Sequence, residues 1–287
     1  MKSRSWSGFV FDTANTLVLL ALCASTLYPF LYLLSISLSP SDISFTQIHI
    51  IPPKFTWANY HTVLGNASIW SGFTMSALRT AVGTVLTLTV TVLTAYVLSK
   101  RYYPQRNLWT MYIVFTMFVH GGLIPNYLLV KSLGMINSVS ALLLPQLIHT
   151  FQMIIARNFF LSLPEEVEES AKIDGANDFV ILFRIVVPVS MPIIATLGLW
   201  TAVWHWNAWF DSIIYITDAS KQVLQVVMRR IALEGKGIDL LMKEDVLTTP
   251  ESIKAATVMV TTLPILLVYP FAQKYFVKGV LVGSLKG

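Results

Sequence analysis

Six apolar stretches dominate this chain, each at least about 20 residues long and so able to cross a hydrocarbon layer of roughly 30 Å as a helix. They run from about Asn15 to Leu38, Ser76 to Leu98, Leu108 to Val130, Val139 to Leu161, Val186 to Ile216 and Ala255 to Val277. In lipid every backbone donor and acceptor must be satisfied within the protein, which leaves helices or closed barrels. Runs of this length predict an all-α, polytopic membrane protein with six spans in a single domain over residues 1–287. Composition agrees, with 55% hydrophobic and 12% charged residues. The mean hydropathy of +0.65 lies well above that of a soluble domain.

Lys2 and Arg4 precede the first run in the manner of a signal peptide, but the run is too long for one, and Leu22 stands where a small residue should precede Cys23. An uncleaved first span is expected. Cys23 is the only cysteine, which excludes an intrachain disulfide.

Charge orients the spans. Basic residues outnumber acidic ones by 20 to 15, and in a membrane protein that excess marks the cytoplasmic side. With the N-terminus inside, the cytoplasmic segments hold Lys2, Arg4, Lys100, Arg101, Arg106, Arg157, Lys172, Arg184, Lys274, Lys278 and Lys286. The external connections hold Lys54 and Arg79, then Lys131, then a longer segment at about 217–254. Both termini are expected in the cytoplasm. Prolines interrupt nearly every span: Pro29, Pro125, Pro145, Pro188, Pro192, Pro264 and Pro270. They fit either a bundle that rearranges around a cavity or the ordinary abundance of proline in membrane helices.

Against this apolar background, six of the fifteen acidic residues fall between Glu165 and Asp178. The stretch SLPEEVEESAKIDGANDFVILFRIVVP predicts a surface helix. Pro164 suits its first position and Ser162 its cap. Glu165, Glu166, Glu168 and Glu169 complement its positive end. Glu168 and Lys172 have the spacing of an ion pair, and Gly175 permits the turn that ends the helix. A second short helix from Ala176 leads to Pro188. Val167, Ala171, Ile173 and Phe179 offer apolar contacts to a partner. The physical pattern alone fits either a docking element or a solvated connection.

Within this stretch EESAKIDGA and RIVVP resemble the EAA loop of the permease subunits of binding-protein-dependent ABC importers. The matching positions are Glu169-Ser170-Ala171, Gly175, and Ile185 to Pro188. Ser170 and Val187 depart from that pattern, by a small and a near-isosteric change. Asp174 and Ala176 match the DGA of sugar importers. The full chain, including GGLIPNYLLVKSLGM and VKGVLVGSLKG, is similar to maltose-type sugar permeases, most of all those for oligosaccharides such as alginate. The resemblance implies the type I ABC importer permease fold in the bacterial inner membrane. It also implies a second permease subunit, two ATPase subunits holding ATP and Mg, and an extracytoplasmic binding protein. It assigns ATPase coupling to the loop at about 162–188, through Glu168, Glu169, Ser170, Ala171, Asp174, Gly175, Ala176, Phe179 and Pro188. The external segment would meet the binding protein, with Arg229 and Arg230 as candidate contacts, and KGVLVGSLKG would reach between the ATPase subunits. The sequence has no GxxxxGK[ST] phosphate loop, so nucleotide energy must come from a partner.

LWTAVWHWNAWFD is the other unusual stretch. At 100° per residue Trp200, Trp204, Asn207 and Asp211 share one helical face, with Trp206 and Trp209 pointing roughly away. Such a face suits a sugar, whose ring stacks on indoles while its hydroxyls need polar partners; a headgroup-level aromatic belt is the alternative. Thr80, Thr84, Thr87, Thr91 and Thr94 form a stripe beside Gly83. It fits either a wet cavity or back-bonded threonines that allow close helix packing. His120, Gly121 and Gly122 mark a break in the third span.

No catalytic, metal-ligating or cofactor-binding set emerges. The expected function is oligosaccharide import, the sugar possibly acidic, by alternating access. An importer of the same class for another sugar, an ATP-independent secondary transporter and an intramembrane enzyme are the alternatives. Apart from His120, His149, His205 and Asp211, the runs hold almost no ionisable groups for the second, and they show no catalytic constellation for the third.

Overall fold

A computed structural model describes residues 6–40, 50–52, 54–233 and 248–284, with side chains through 267 except those of Ser7 and Val167. Lys2, Arg4, Lys286, the DLLMKED run at 239–245 and the side-chain roles expected of Val167 and of the C-terminal segment fall outside it. Every regular element among the described residues is helical.

Two compact units divide the chain. The first comprises residues 1–69 and 228–263. Its long helix α1 (Trp6–Ser37) is apolar enough to cross a membrane and is exposed along most of its length, with Ser35 and Ser37 buried at its end. A buried asparagine organises the rest. Asn59, on the short α2 (Ala58–Leu64), donates to the carbonyls of Ser37 and Ser39, both at 2.9 Å, and accepts from Ser252 Oγ at 2.9 Å. An amide side chain has both donors and acceptors, so one buried residue can tie three segments without an unmet polar group.

The second unit comprises residues 70–227 and 264–287. Its axis is α3 (Ala67–Ser99), apolar and continuous. The predicted third, fourth and fifth spans are instead bent pairs. α4 (Arg106–Phe118) and α5 (Leu123–Ser132) meet at 114°. The break lies at 119–122, where His120 and its glycines were expected to interrupt the helix and where Gly122 has φ +85°. α6 (Val139–Leu143) runs through a single 3₁₀ turn containing Pro145, then bends by 51° into α7 (Thr150–Leu161). The charged helix α8 (Glu165–Ile173) follows. Next come α9 (Asp178–Ile181), a π-helical turn at Leu182–Val186, α10 (Val187–Val189) and, after a bend of 84°, α11 (Met191–Asn207). Pro188 and Pro192 flank that bend, so the prolines here mark real interruptions. α12 (Phe210–Tyr215) and α13 (Leu224–Ala232) come next. The helix α14 (Pro250–Ser284) contains the predicted sixth span, and Pro264 does not interrupt it. Among the described residues two helices are thus long and apolar enough to span singly, and three bent pairs qualify as broken spans.

The main core of this unit lies between α3, α7 and α11. Val92, Ala95, Tyr96 and Leu98 pack on Met153, Ala156 and Phe160, with Leu182 and Leu197 closing it. Small residues bring the backbones together. A Cβ on Gly83 would lie 2.6 Å from the ring of buried His205, and one on Gly198 would lie 3.1 Å from Leu88. Thr87 and Thr91 are fully buried. The hydroxyls of Thr80, Thr84, Thr87 and Thr91 find no hydrogen-bond partner among the described residues. Of the two readings open for the stripe, back-bonding is therefore not seen at these positions, and Thr80 lines the cavity described below. Thr89 and Thr74 do bond back, to Val85 and Trp70.

Candidate functional site

The charged stretch is held by both its ends and its inner face. α8 closes with a left-handed glycine: Gly175 has φ +82°, its N–H bonds Lys172 O at 3.0 Å, and Ala176 N–H bonds Ala171 O at 2.9 Å. This paired closure satisfies carbonyls that the helix end would otherwise leave open. Asn177 then caps α9 by accepting from Val180 N–H at 2.9 Å. Ala171 and Ala176 rest against the α3–α7–α11 core, which fixes the position of α8.

The start of α8 differs from the expectation. Pro164 is the capping residue, with extended backbone, and the helix begins at Glu165. Ser162 donates back to Phe159 O at 2.7 Å, so it does not cap. The Glu168–Lys172 pair is also absent. Glu168 turns inward to Lys100, with only 15% of its side chain exposed, while Lys172 pairs with Asp178 at 3.5 Å. A tertiary partner with little exposure outcompetes a solvated neighbour one turn away, whose interaction is worth only about 0.2–0.5 kcal/mol.

The receiving surface is KRYY at the end of α3. Lys100 Nζ also lies 4.0 Å from the Tyr96 ring centroid. Arg101 meets Glu165 at 3.0 Å in an exposed pair. Tyr102 donates to Asp178 at 3.2 Å and carries Lys172 over its ring at 4.3 Å. Burial, then the Asp178 carboxylate, push the Tyr102 phenol above its ordinary value, which keeps it a donor at neutral pH. Arg157 Nε donates to Leu98 O at 3.1 Å and so meets a terminal carbonyl of α3. These contacts face Glu165 and Glu168 toward the protein. Glu166, Glu169, Ser170, Asp174, Gly175, Ile173 and Phe179 stay exposed, the last two at 86% and 68%. Pro188, on α10, is exposed.

The aromatic stretch lines a cavity of about 1130 Å³. Trp200, Trp204, Asn207 and Asp211 all face it, as expected, but so do Trp206 and Trp209. The simple helical arithmetic fails because α11 ends at Asn207, and Asp211 arrives on α12 after a break. A second cavity of about 440 Å³ shares Gln146, Phe210 and Asp211 with the first, so these residues form the wall between them.

Arg79 holds that wall and was misplaced by the sequence reading. It lies in the first half of α3, completely buried, and not in an external connection. Its guanidinium binds both carboxylate oxygens of Asp211, one at 2.9 Å, and donates to Ala208 O at 3.2 Å. Asp211 also accepts from Ser212 N–H at 2.9 Å. The arginine therefore satisfies both the carbonyl freed at the break and the carboxylate beyond it, and lies 5.8 Å from the Trp204 ring centroid. The signal was available: a cation inside an apolar run is costly unless paired.

His149 stacks edgewise on Trp204 at 4.9 Å. Gln152 accepts from Thr201 Oγ1 at 2.8 Å. Arg229 and Arg230 lie on amphipathic α13, whose Leu224, Val226, Val227 and Ile231 are buried. Leu224 N–H bonds Ser76 Oγ at 2.9 Å, so residues 217–233 are built structure and not a solvated loop.

No protein-family model matches the chain. It is 41% identical to Protein LplC of Bacillus subtilis over 286 residues, covering 98% of this chain and 96% of that one. It is 39% identical to the polygalacturonan/rhamnogalacturonan transport system permease protein YtcP of the same organism, with both chains covered completely. Among solved structures it matches a bacterial ABC transporter involved in the import of the acidic polysaccharide alginate. That match has a TM-score of 0.88 and 29% identity, and covers 96% of this chain and 100% of that one.

Proposed function

Because this chain belongs to the permease subunits of ABC sugar transporters, we propose that it moves an acidic oligosaccharide across the bacterial inner membrane by alternating access. In this reading the five spanning elements and α14 make six spans with both termini in the cytoplasm. The chain pairs with a second permease subunit and receives the sugar from an extracytoplasmic binding protein, which meets the Arg229 and Arg230 region. ATP and Mg are held by two partner ATPase subunits.

One observation carries the coupling assignment. α8 is latched inward through Glu168, yet leaves Glu166, Glu169, Ile173 and Phe179 outside. A short helix with a fixed inner face and a mixed acidic and apolar outer face suits docking into a cleft of another protein. The other expected coupling residues, Ser170, Ala171, Asp174, Gly175, Ala176 and Pro188, then set its shape.

The acidic sugar class is supported by two lines. One relative and one structural neighbour are named for acidic polysaccharides. Among the described lining residues the one carboxylate, Asp211, is already neutralised by Arg79, so an anionic sugar meets indole faces and Asn207 there without an unpaired like charge. The test is purification with the neighbouring gene products, followed by ATPase assays with candidate binding proteins and oligosaccharides. Stimulation by an acidic oligosaccharide is expected. Stimulation by a neutral sugar alone would overturn the acidic assignment, and uptake by the isolated chain would overturn ATP coupling.

A further inference from the structure

Two ion pairs of low exposure are anchored at one helix, by Arg79 within α3 and by Lys100 immediately after its last residue. In the first half of α3, Arg79 grips Asp211 and the carbonyl of Ala208 in the cavity wall. At its end, Lys100 grips Glu168 on α8. Between them α3 is unbroken, whereas the three bent pairs turn through 51° to 114°. With a rise of about 1.5 Å per residue, the two fastenings stand roughly 30 Å apart along the axis.

We propose that α3 is a rigid connecting element that conveys movement of α8 to the wall of the large cavity, with Lys100 and Arg79 as the positioning residues that fasten its two ends. The inference rests on the coupling role given to α8 above. Exposure separates these fastenings from ordinary surface pairs. The side chains of Lys100 and Glu168 are 11% and 15% exposed, and those of Arg79 and Asp211 are 0% and 18%; Arg101 and Glu165 are 75% and 63%. Pulling apart a poorly solvated pair leaves a charge without compensation, so the partners move together. An exposed pair exchanges one partner for water at little cost and transmits nothing. The cavity end is equally constrained. Arg79 spans the break between α11 and α12, so a shift of α3 changes the angle at which Phe210 and Asp211 stand between the two cavities. The close approach at Gly83 keeps the seam with α11 from absorbing the motion.

The experiment uses the complete transporter in nanodiscs, with reactive cysteines removed from the partner subunits and Cys23→Ser in this chain. Val203 lines the large cavity and is 41% exposed, so Val203→Cys reports access to it. Its rate of labelling by a small thiol reagent is measured with and without ATP and vanadate. With α3 fastened, nucleotide should change that rate by about fivefold or more, the scale of ordinary site-to-site coupling. Lys100→Met should bring the ratio close to one while the ATPase subunits still co-purify. The exchanged pair, Lys100→Glu with Glu168→Lys, should restore it. Arg79→Lys keeps the charge but loses the two-pronged grip and should give an intermediate ratio.

An undiminished ratio in Lys100→Met overturns the proposal. So does an exchanged pair that assembles with the ATPase subunits yet stays at the Lys100→Met ratio; if it does not assemble, Lys100→Met decides alone. If the chain with native Lys100 shows no nucleotide-dependent change, the coupling reading of α8 fails, and this inference falls with it.

Discussion

The cavity wall and the charged surface helix are both secured by a cation at α3, Arg79 within it and Lys100 just past its end, but under opposite conditions. Arg79 is sealed from solvent and satisfies a carboxylate and a backbone carbonyl together. Lys100 sits at the edge of water, shares its carboxylate with nothing else described, and has an aromatic ring beneath it. The difference teaches that the same type of contact does two jobs. In the interior it prevents an unpaired charge and thereby fixes the backbone at a helix break. At the surface it selects which face of a helix is turned inward and which is left for a partner.

The comparison breaks most sharply at the interior pair. Arg79→Met strands Asp211 without its counter-ion, and a loss of about 3–5 kcal/mol is expected. Thermal unfolding of the purified complex measures it. Arg79→Met combined with Asp211→Leu should recover much of the loss, because no charge then remains buried. A loss below about 1 kcal/mol in the single variant would place Arg79 among ordinary solvated pairs.

Next in size is the seam beside that pair. Gly83→Ala puts a methyl within the ring of His205 and should cost roughly 1–3 kcal/mol by overpacking. Adding His205→Ala should relieve that strain, and the double-mutant cycle reads the coupling directly. Gly175→Val forces a β-branched residue to φ +82° where nothing else obstructs a side chain, at a strain of about 1–3 kcal/mol. Its larger expected consequence is functional: ATP hydrolysis continues while uptake falls, as measured in proteoliposomes. Reversing charge at Glu169 should do the same without affecting folding, since that side chain is exposed. Normal uptake in both variants would remove α8 from the coupling role.

At the surface pair, Lys100→Met should cost roughly 1.5–3 kcal/mol, the range for a hydrogen bond to a charged group. The smallest effect belongs to Arg101→Ala, below about 1 kcal/mol and fading with salt. If Arg101→Ala matched Lys100→Met, exposure would not be what distinguishes the two contacts.

Much of this arrangement was readable before any coordinates. Hydropathy located α3 and the long terminal helices, and the glycines and prolines marked where spans bend. Gly175 announced a left-handed turn. What escaped were properties that depend on distant partners. Glu168 and Lys172 have an ideal local spacing, yet Glu168 turns to Lys100 across the fold, while Lys172 pairs with Asp178 six residues on and lies over the Tyr102 ring. Arg79 looked peripheral because its compensating carboxylate lies far along the sequence. Asp211 was assigned to the correct face for the wrong reason, since the arithmetic of one continuous helix does not survive the break after Asn207.

The uninterrupted course of α3 makes the two fastenings a matter of phase. Inserting a single residue anywhere between Arg79 and Lys100 would swing one end about 100° around the axis relative to the other, and no local repacking would let both cations meet their acids. Seven inserted residues would return the angle almost to its starting value but displace one end by about 10 Å. Length and twist are therefore inherited as one dimension here, and substitutions along the rod are far easier to accommodate than a change in its residue count.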